Sequence, residues 1–462
     1  MKNFPHQIFR AYDIRGEVGG ALSEELAADI GRALGAEARA RGVGEFVVGR
    51  DGRLSGPAIS RAVAGGIRES GCDVVDIGMA PTPALYSATG RQRAGVQVTA
   101  SHNPPPDNGM KIMIAGETLS GDAIQEIKRR VLEKDFGENS GGAGKLRRED
   151  ALGAYQKKMT GDIRLNPEKK LKLVIDCGNG VAGAVAPAVF RELGCETVEL
   201  FCEVDGNFPN HHPDPTRPEN LADLIAAVKK HGADFGAAFD GDGDRLGVVA
   251  HDGEIIWPDR LMLLFAERIL AERRGAEIIF DVKCSRALPR AIEKHGGVAT
   301  MCKTGHSFIK NKLLETGALF AGEMSGHIFF NDRWGGFDDG IYAAARLCEL
   351  LAADPRAPAE VFAALPDSVN TPEILLPMQE GENHKLVADL LAAAGEEDGA
   401  VISRIDGLRM DFPHGFGLAR ASNTTPALSL RFEADTRAQL EEIQAHFRKL
   451  LLRARADLEL PF

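Results

Sequence analysis

Residues Gly95–Met113 read GVQVTASHNPPPDNGMKIM. Val96 and Val98 alternate with smaller or polar residues, the pattern of a short strand. The chain then turns through Ser101-His102-Asn103-Pro104, where three consecutive prolines and Asn108-Gly109 predict an irregular segment. Ser101 is therefore placed on a stiff loop just past a strand end, the position at which α/β sheets present groups to ligands. His102 adjoins it and Lys111 lies just beyond. A serine offered in this way can carry a covalent group. It can equally cap a turn or a helix, and this stretch alone leaves both readings open.

Working outward, the N-terminal part alternates helical and strand patterns. Ser23 opens an amphipathic helix stopped by Gly42, Glu45–Gly49 is a strand, and Pro57 lies just inside the next helix. Cys72–Gly78 and Ala94–Ala100 are further strands, and Ser120 opens a charged helix. Gly137–Gly144 (GENSGGAG) reads as a linker or an exposed hairpin. A second α/β unit follows, with strands Leu171–Asp176, Cys195–Phe201 and Ala233–Phe239. In a third, strands Ala276–Asp281, Val298–Cys302 and Ala318–Ala321 run into polar, glycine-containing loops. Beyond Pro355–Pro358 and Leu365–Pro372 the pattern becomes one strand, one helix, several short strands around Arg409–Arg431 and a final helix. The fold class is α/β: three similar mixed-sheet modules, then a small α+β domain. The expected divisions are 1–147, 148–253, 254–366 and 367–462, with the last domain a lid hinged near Leu365–Pro372.

The chain has 462 residues, 44% hydrophobic and 26% charged, enough to build several cores. No apolar run nears the ~18 residues that span a bilayer, and MKNFPHQIFRAYDIRG has no signal-peptide core. Seven cysteines without a CxxC pair suit a reducing compartment, so a cytoplasmic protein without membrane association is expected. A net charge of −12 argues against a nucleic-acid partner. It does not exclude an anionic small molecule in a locally basic cleft.

Asp240, Asp242 and Asp244 alternate with glycines directly after a strand. Such carboxylates converge readily and suit a hard cation such as Mg²⁺. An EF-hand is excluded because Arg245 stands at its glycine position and His251 at its closing glutamate position. Arg245, beside the metal, suits a phosphate oxygen. Cations recur at other strand ends, namely Arg15, Lys111, Lys283, Arg286, Lys303, Arg409 and Arg420, and together they point to an anion site. Arg420-Ala421-Ser422-Asn423-Thr424-Thr425 offers a guanidinium, three hydroxyls and an amide, a set able to wrap phosphate oxygens. Glu323, Ser325 and His327 mix acceptors and donors in the way that vicinal sugar hydroxyls require.

Four motifs, TASHNP at Thr99–Pro104, DGDGDR at Asp240–Arg245, GEMSGH at Gly322–His327 and RASNTT at Arg420–Thr425, occur in this order. On these the sequence resembles the α-D-phosphohexomutase superfamily, most closely its bacterial phosphomannomutase/phosphoglucomutase group, over essentially the whole chain. The resemblance implies three α/β domains and a fourth domain around one cleft, and a monomer is expected. It implies that Ser101 is carried as phosphoserine and holds one Mg²⁺ together with Asp240, Asp242 and Asp244. The reaction implied is interconversion of hexose 1- and 6-phosphates, of mannose and of glucose, through a hexose 1,6-bisphosphate. Arg15, His102, Lys111, Arg245 and His327 would serve proton transfer or charge balance. Tyr12, Lys283 and His306 would line the cleft, and Glu323 and Ser325 would take the equatorial 3- and 4-hydroxyls. Arg420, Ser422, Asn423 and Thr424 would grip the phosphate that is not reacting. A phosphoglucosamine mutase would typically carry Gln where this chain has Met324. A phosphatase or a sugar-phosphate-binding module would share parts of the grip.

Overall fold

The structure, a computed structural model, describes residues 4–139, 141–379, 381–395, 399–423 and 425–462; Thr424 lies outside the described residues. Their strands form four sheets. The first three share one core order. In the first it runs Asp73–Met79, Glu45–Arg50, Ala94–Val98, Asp107–Ile114. The second runs Glu196–Leu200, Lys172–Asp176, Phe235–Phe239, Leu246–Ala250, and the third Val298–Cys302, Glu277–Asp281, Phe320–Gly322, Ile328–Phe330. In each, three strands are parallel and the fourth returns antiparallel. The same turn, from third strand to fourth, carries residues 99–106, 240–245 and 323–327. The three chemistry-bearing loops are thus one structural position used three times, at the carboxyl end of a parallel strand.

Asn108-Gly109, expected in an irregular segment, lies inside the strand Asp107–Ile114. Gly109 pairs with Arg15 of the strand Ile14–Glu17, and a Cβ at 109 would stand 2.1 Å from the Ile14 carbonyl oxygen. Glycine here permits close strand approach rather than a turn. Among the described residues of the glycine-rich stretch Gly137–Gly144, expected as a linker or hairpin, no strand is formed. The stretch leads into Leu146–Arg148, which pairs in parallel with Asp73–Met79 and crosses the division expected at 147.

Local sequence explains the helices that brace these sheets. Ser23 caps Glu24–Ala40 by accepting from the Leu26 amide (3.1 Å), and Pro258 opens the helix Pro258–Glu272. One continuous apolar core runs through the first three domains, from Val47 and Leu85 through Phe190 and Phe235 to Phe320 and Leu347. The fourth domain is an antiparallel sheet with the helices Glu382–Ala393 and Arg437–Ala454, and it has a core of its own. It meets the third domain through a small apolar cluster, Val282, Phe416 and Leu418, and through buried arginines. No helix of the described residues is long and apolar enough to cross a membrane.

Arg286 and Arg409, expected among the anion-binding cations, belong to this seam. Arg409 donates to the carbonyls of Val282 (2.6 Å) and Cys284 (2.8 Å), pairs with Asp411, and lies 3.8 Å from the Phe416 ring centroid. Arg286 donates to the Pro413 carbonyl (2.9 Å) and to Asp435. Both guanidinium groups are engaged by carbonyls and carboxylates of the seam. Arg409→Met strands those carbonyls and Asp411, and we expect about 3 kcal/mol lower stability of the seam by urea denaturation.

Candidate active site

The turn of the first domain meets the turn of the second. Ser101 is buried, with φ +50°, and its Oγ donates to Asp240 Oδ2 at 2.6 Å. That spends the hydroxyl proton and leaves an oxygen lone pair towards His102 Nδ1, 3.1 Å away. Burial, then Arg245 and Arg15, hold the His102 imidazole well below its ordinary range. Arg15 donates to the Ala100 carbonyl (3.2 Å), to Asn103 Oδ1 (2.7 Å) and to Asp13 Oδ2 (2.5 Å), so it braces the serine turn.

The three aspartates are fully buried. Asp240 Oδ1 accepts from the amides of Asp244 and Arg245, both at 3.1 Å, which curls the turn around it. Lys111 donates to Asp242 Oδ2 (2.7 Å) and to Asp244 Oδ2, and Thr82 donates to Asp242 Oδ2 (2.5 Å). Burial favours the neutral lysine, but Asp242, Asp244 and Asp240 together hold the Lys111 ammonium above its ordinary range. Burial also penalises the Asp242 carboxylate, yet Lys111 and Thr82 keep it below the usual carboxylate range. Asp240 is pushed well above that range by burial and by repulsion from Asp242 and Asp244. One oxygen from each aspartate lies within 4.8 Å of the others, and Asp242 Oδ1 and Asp244 Oδ1 are buried with no hydrogen-bond partner among the described residues. Anionic oxygens left unpaired and convergent fit a hard divalent cation.

The third turn closes over the second. Arg245 Nε donates to His327 Nε2 at 3.1 Å, which places the histidine proton on Nδ1, 3.0 Å from Asp338 Oδ2 and 3.4 Å from Asp244 Oδ1. Asp338 also holds Lys310 (2.8 Å) and lies 3.6 Å from His306 Nδ1. Burial and Lys310 push His306 well below the ordinary imidazole range. Its ring meets Tyr12 edge-on, with centroids 5.1 Å apart. Burial, with Asp13 and Glu323, pushes the Tyr12 phenol up to about 12. Glu323 accepts from the Gly305 amide (2.9 Å) and from Ser325 Oγ (2.6 Å).

The fourth domain packs against the third. Arg420 Nε donates to Asp406 Oδ2 (2.9 Å), which also accepts the Thr304 amide (3.1 Å); Arg420 Nη2 is buried without a hydrogen-bond partner among the described residues. Asn423 donates to the Thr304 carbonyl (3.4 Å), and Ser422 Oγ lies 3.1 Å from Thr425 Oγ1. Lys283 reaches Glu373 Oε2 (3.4 Å). Burial opposes the Glu373 carboxylate, but Lys283, Ser429 and Arg420 bring it down to about 2.

The structure thus gathers Arg15, Ser101, His102, Lys111, Asp240, Asp242, Asp244, Arg245 and His327 into one network. Tyr12, His306, Glu323 and Ser325 lie beside it, with Lys283, Arg420, Ser422 and Asn423 on the far side. Lys303 is exposed. Sequence reasoning missed Thr82, Asp338, Lys310 and Glu373. Asp338 had a signal, since it sits in an Asp-Asp pair at a helix start, where Asp339 caps Gly340–Ala353.

Profiles of Phosphoglucomutase/phosphomannomutase match four segments: alpha/beta/alpha domain I at residues 6–138, domain II at 153–253, domain III at 257–369, and the C-terminal domain at 373–450. A Pseudomonas putida protein named phosphomannomutase/phosphoglucomutase is 53% identical over 99% of this chain and 98% of its own length. A Neisseria gonorrhoeae phosphoglucomutase is 52% identical, covering 98% of each. The crystal structure of a phosphoglucomutase/phosphomannomutase family protein from Burkholderia thailandensis superposes with a TM-score of 0.93 at 51% identity, over 98% of this chain and 99% of that one. With all four domains matched in order, the chain belongs to the phosphoglucomutase/phosphomannomutase family of enzymes.

Proposed function

We propose that this protein is a reversible phosphohexomutase that moves a phosphoryl group between the 1- and 6-positions of mannose and glucose phosphates. The observation that carries this reading is the 2.6 Å hydrogen bond from Ser101 Oγ to Asp240 Oδ2, which joins turns 139 residues apart. In this reading Ser101 Oγ carries the phosphoryl group, donates it to the free hydroxyl of a bound hexose monophosphate and recovers the other phosphoryl from the resulting 1,6-bisphosphate. Asp240, Asp242 and Asp244, with the phosphoserine, would hold Mg²⁺, which supplies charge neutralisation for the transferring group. Lys111 balances the aspartates, Arg15 and His102 flank the serine, and His327 faces the same turn as a proton-transfer group. Arg420, Ser422, Asn423 and Thr424 hold the phosphate that is not reacting. A monomer and a cytoplasmic location are proposed.

A coupled assay with glucose 1-phosphate tests the reading. Glucose 6-phosphate as product, with stimulation by glucose 1,6-bisphosphate, is expected; release of inorganic phosphate alone would replace the mutase with a phosphatase. Glu323 and Ser325 should meet hydroxyls that glucose and mannose share. Glu323→Ala should therefore lower kcat/KM about 10- to 100-fold for both sugars, the loss of one charge-assisted hydrogen bond. Severe damage to one sugar with the other spared would show that this turn reads C2.

A further inference from the structure

Arg53, which follows the strand Glu45–Arg50, has a side chain wholly shielded from solvent. Its Nη2 donates to the carbonyls of Ser101 (2.8 Å) and Asn103 (2.7 Å), and its Nη1 to those of Pro104 (2.7 Å) and Asp107 (2.9 Å). The serine turn needs such a donor from elsewhere, because its three prolines have no amide hydrogens and cannot satisfy neighbouring carbonyls. The other side of Ser101 is tied to the same corner. Its amide donates to Thr99 Oγ1 (2.8 Å), Thr99 donates to Asp51 Oδ2 (2.6 Å), and that oxygen lies 3.2 Å from Arg53 Nε. The peptide groups on both sides of a serine with φ +50° are therefore clamped. A lysine would keep the charge but lose the planar fork that reaches four acceptors.

The second domain covers this corner. The Phe208 ring centroid lies 5.3 Å from the Arg53 guanidinium carbon. A Cβ on Gly206 would stand 2.7 Å from both the Gly52 carbonyl oxygen and the Leu54 amide nitrogen, so this position admits no side chain.

Resting on the reading that Ser101 carries the phosphoryl group, we propose that Arg53 is a positioning residue for phosphoryl transfer. It sets the distance from Ser101 Oγ to the aspartate turn, and residues 206–208 of the second domain hold it in place. Misplacing a reacting group by about 1 Å costs about 10²-fold in rate. Arg53→Lys should accordingly lower kcat for glucose 1-phosphate about 10²-fold, with KM within about twofold because the sugar and phosphate grips lie on other domains. Amide exchange in residues 99–107 should quicken while the other three domains keep wild-type protection. In Arg53→Ala, added guanidinium should restore part of kcat, and sodium at equal ionic strength should not. Gly206→Ala should shift kcat and exchange in the same direction from the opposite side.

Wild-type kcat in Arg53→Lys would overturn the proposal. So would exchange that quickens equally in all four domains, which marks general destabilisation. If the wild-type enzyme turns over no phosphosugar, the functional reading fails instead, and exchange at 99–107 still reports whether Arg53 holds the turn.

Discussion

Replacing Ser101 by alanine should leave a folded protein with turnover reduced by about 10⁴-fold or more, because the atom proposed to carry the phosphoryl group is gone. The fold should tolerate the change. The Ser101 amide still reaches Thr99, its carbonyl still accepts from Arg53, and one hydroxyl bond to Asp240 is lost. The measurement is paired. Peptide mapping of freshly prepared active enzyme should find a phosphoryl group on the tryptic peptide holding Ser101, and the variant should carry none. Full repeated turnover in Ser101→Ala would exclude a phosphoserine route. So would active wild-type enzyme with no phosphoryl group.

Asp242→Asn should be the next most damaging, at about 10³-fold in kcat with Mg²⁺ required at higher concentration. Asp242 is the aspartate whose charge the surroundings most favour, since Lys111 and Thr82 hold it ionised against burial. Asparagine keeps the shape and can still accept from Thr82, but it removes one of the three carboxyl groups that face the proposed cation. Lys111 retains Asp244 as partner, so its ammonium is not abandoned. Chelation should silence the wild type and Mg²⁺ should restore it. The variant should need more Mg²⁺ for half-maximal rate; an unchanged requirement would remove Asp242 from the cation site.

Much of this site was legible because its chemistry is written in short local motifs. A strand followed by TASHNP or DGDGDR places its polar groups at a strand end whatever the rest of the chain does. Residues that act across long separations left no such trace. Arg53 looks like any polar loop residue, and only the fold brings it to a turn 48 positions away. Lys310 and Asp338 likewise meet only after the third sheet forms. Arg286 and Arg409 failed in the opposite sense, since residue type cannot say whether a guanidinium faces a cleft or a carbonyl. Asn108-Gly109 carries a strong turn signal, and tertiary pairing with Ile14–Glu17 overrode it. The returning strands Leu246–Ala250 and Ile328–Phe330 were not anticipated, which hid the common origin of the three turns.

The seam between the third and fourth domains bears on the proposed exchange of substrate. Its fabric includes guanidinium against carbonyl and carboxylate, through Arg286, Arg409 and Arg431, beside a small apolar cluster of Val282, Phe416 and Leu418 with Met301 packed against it. If the fourth domain swings away to admit or release a sugar phosphate, water can take over most of those bonds, and little sticky surface is laid bare. A door hung this way can open on every catalytic cycle without inviting a second molecule to close it.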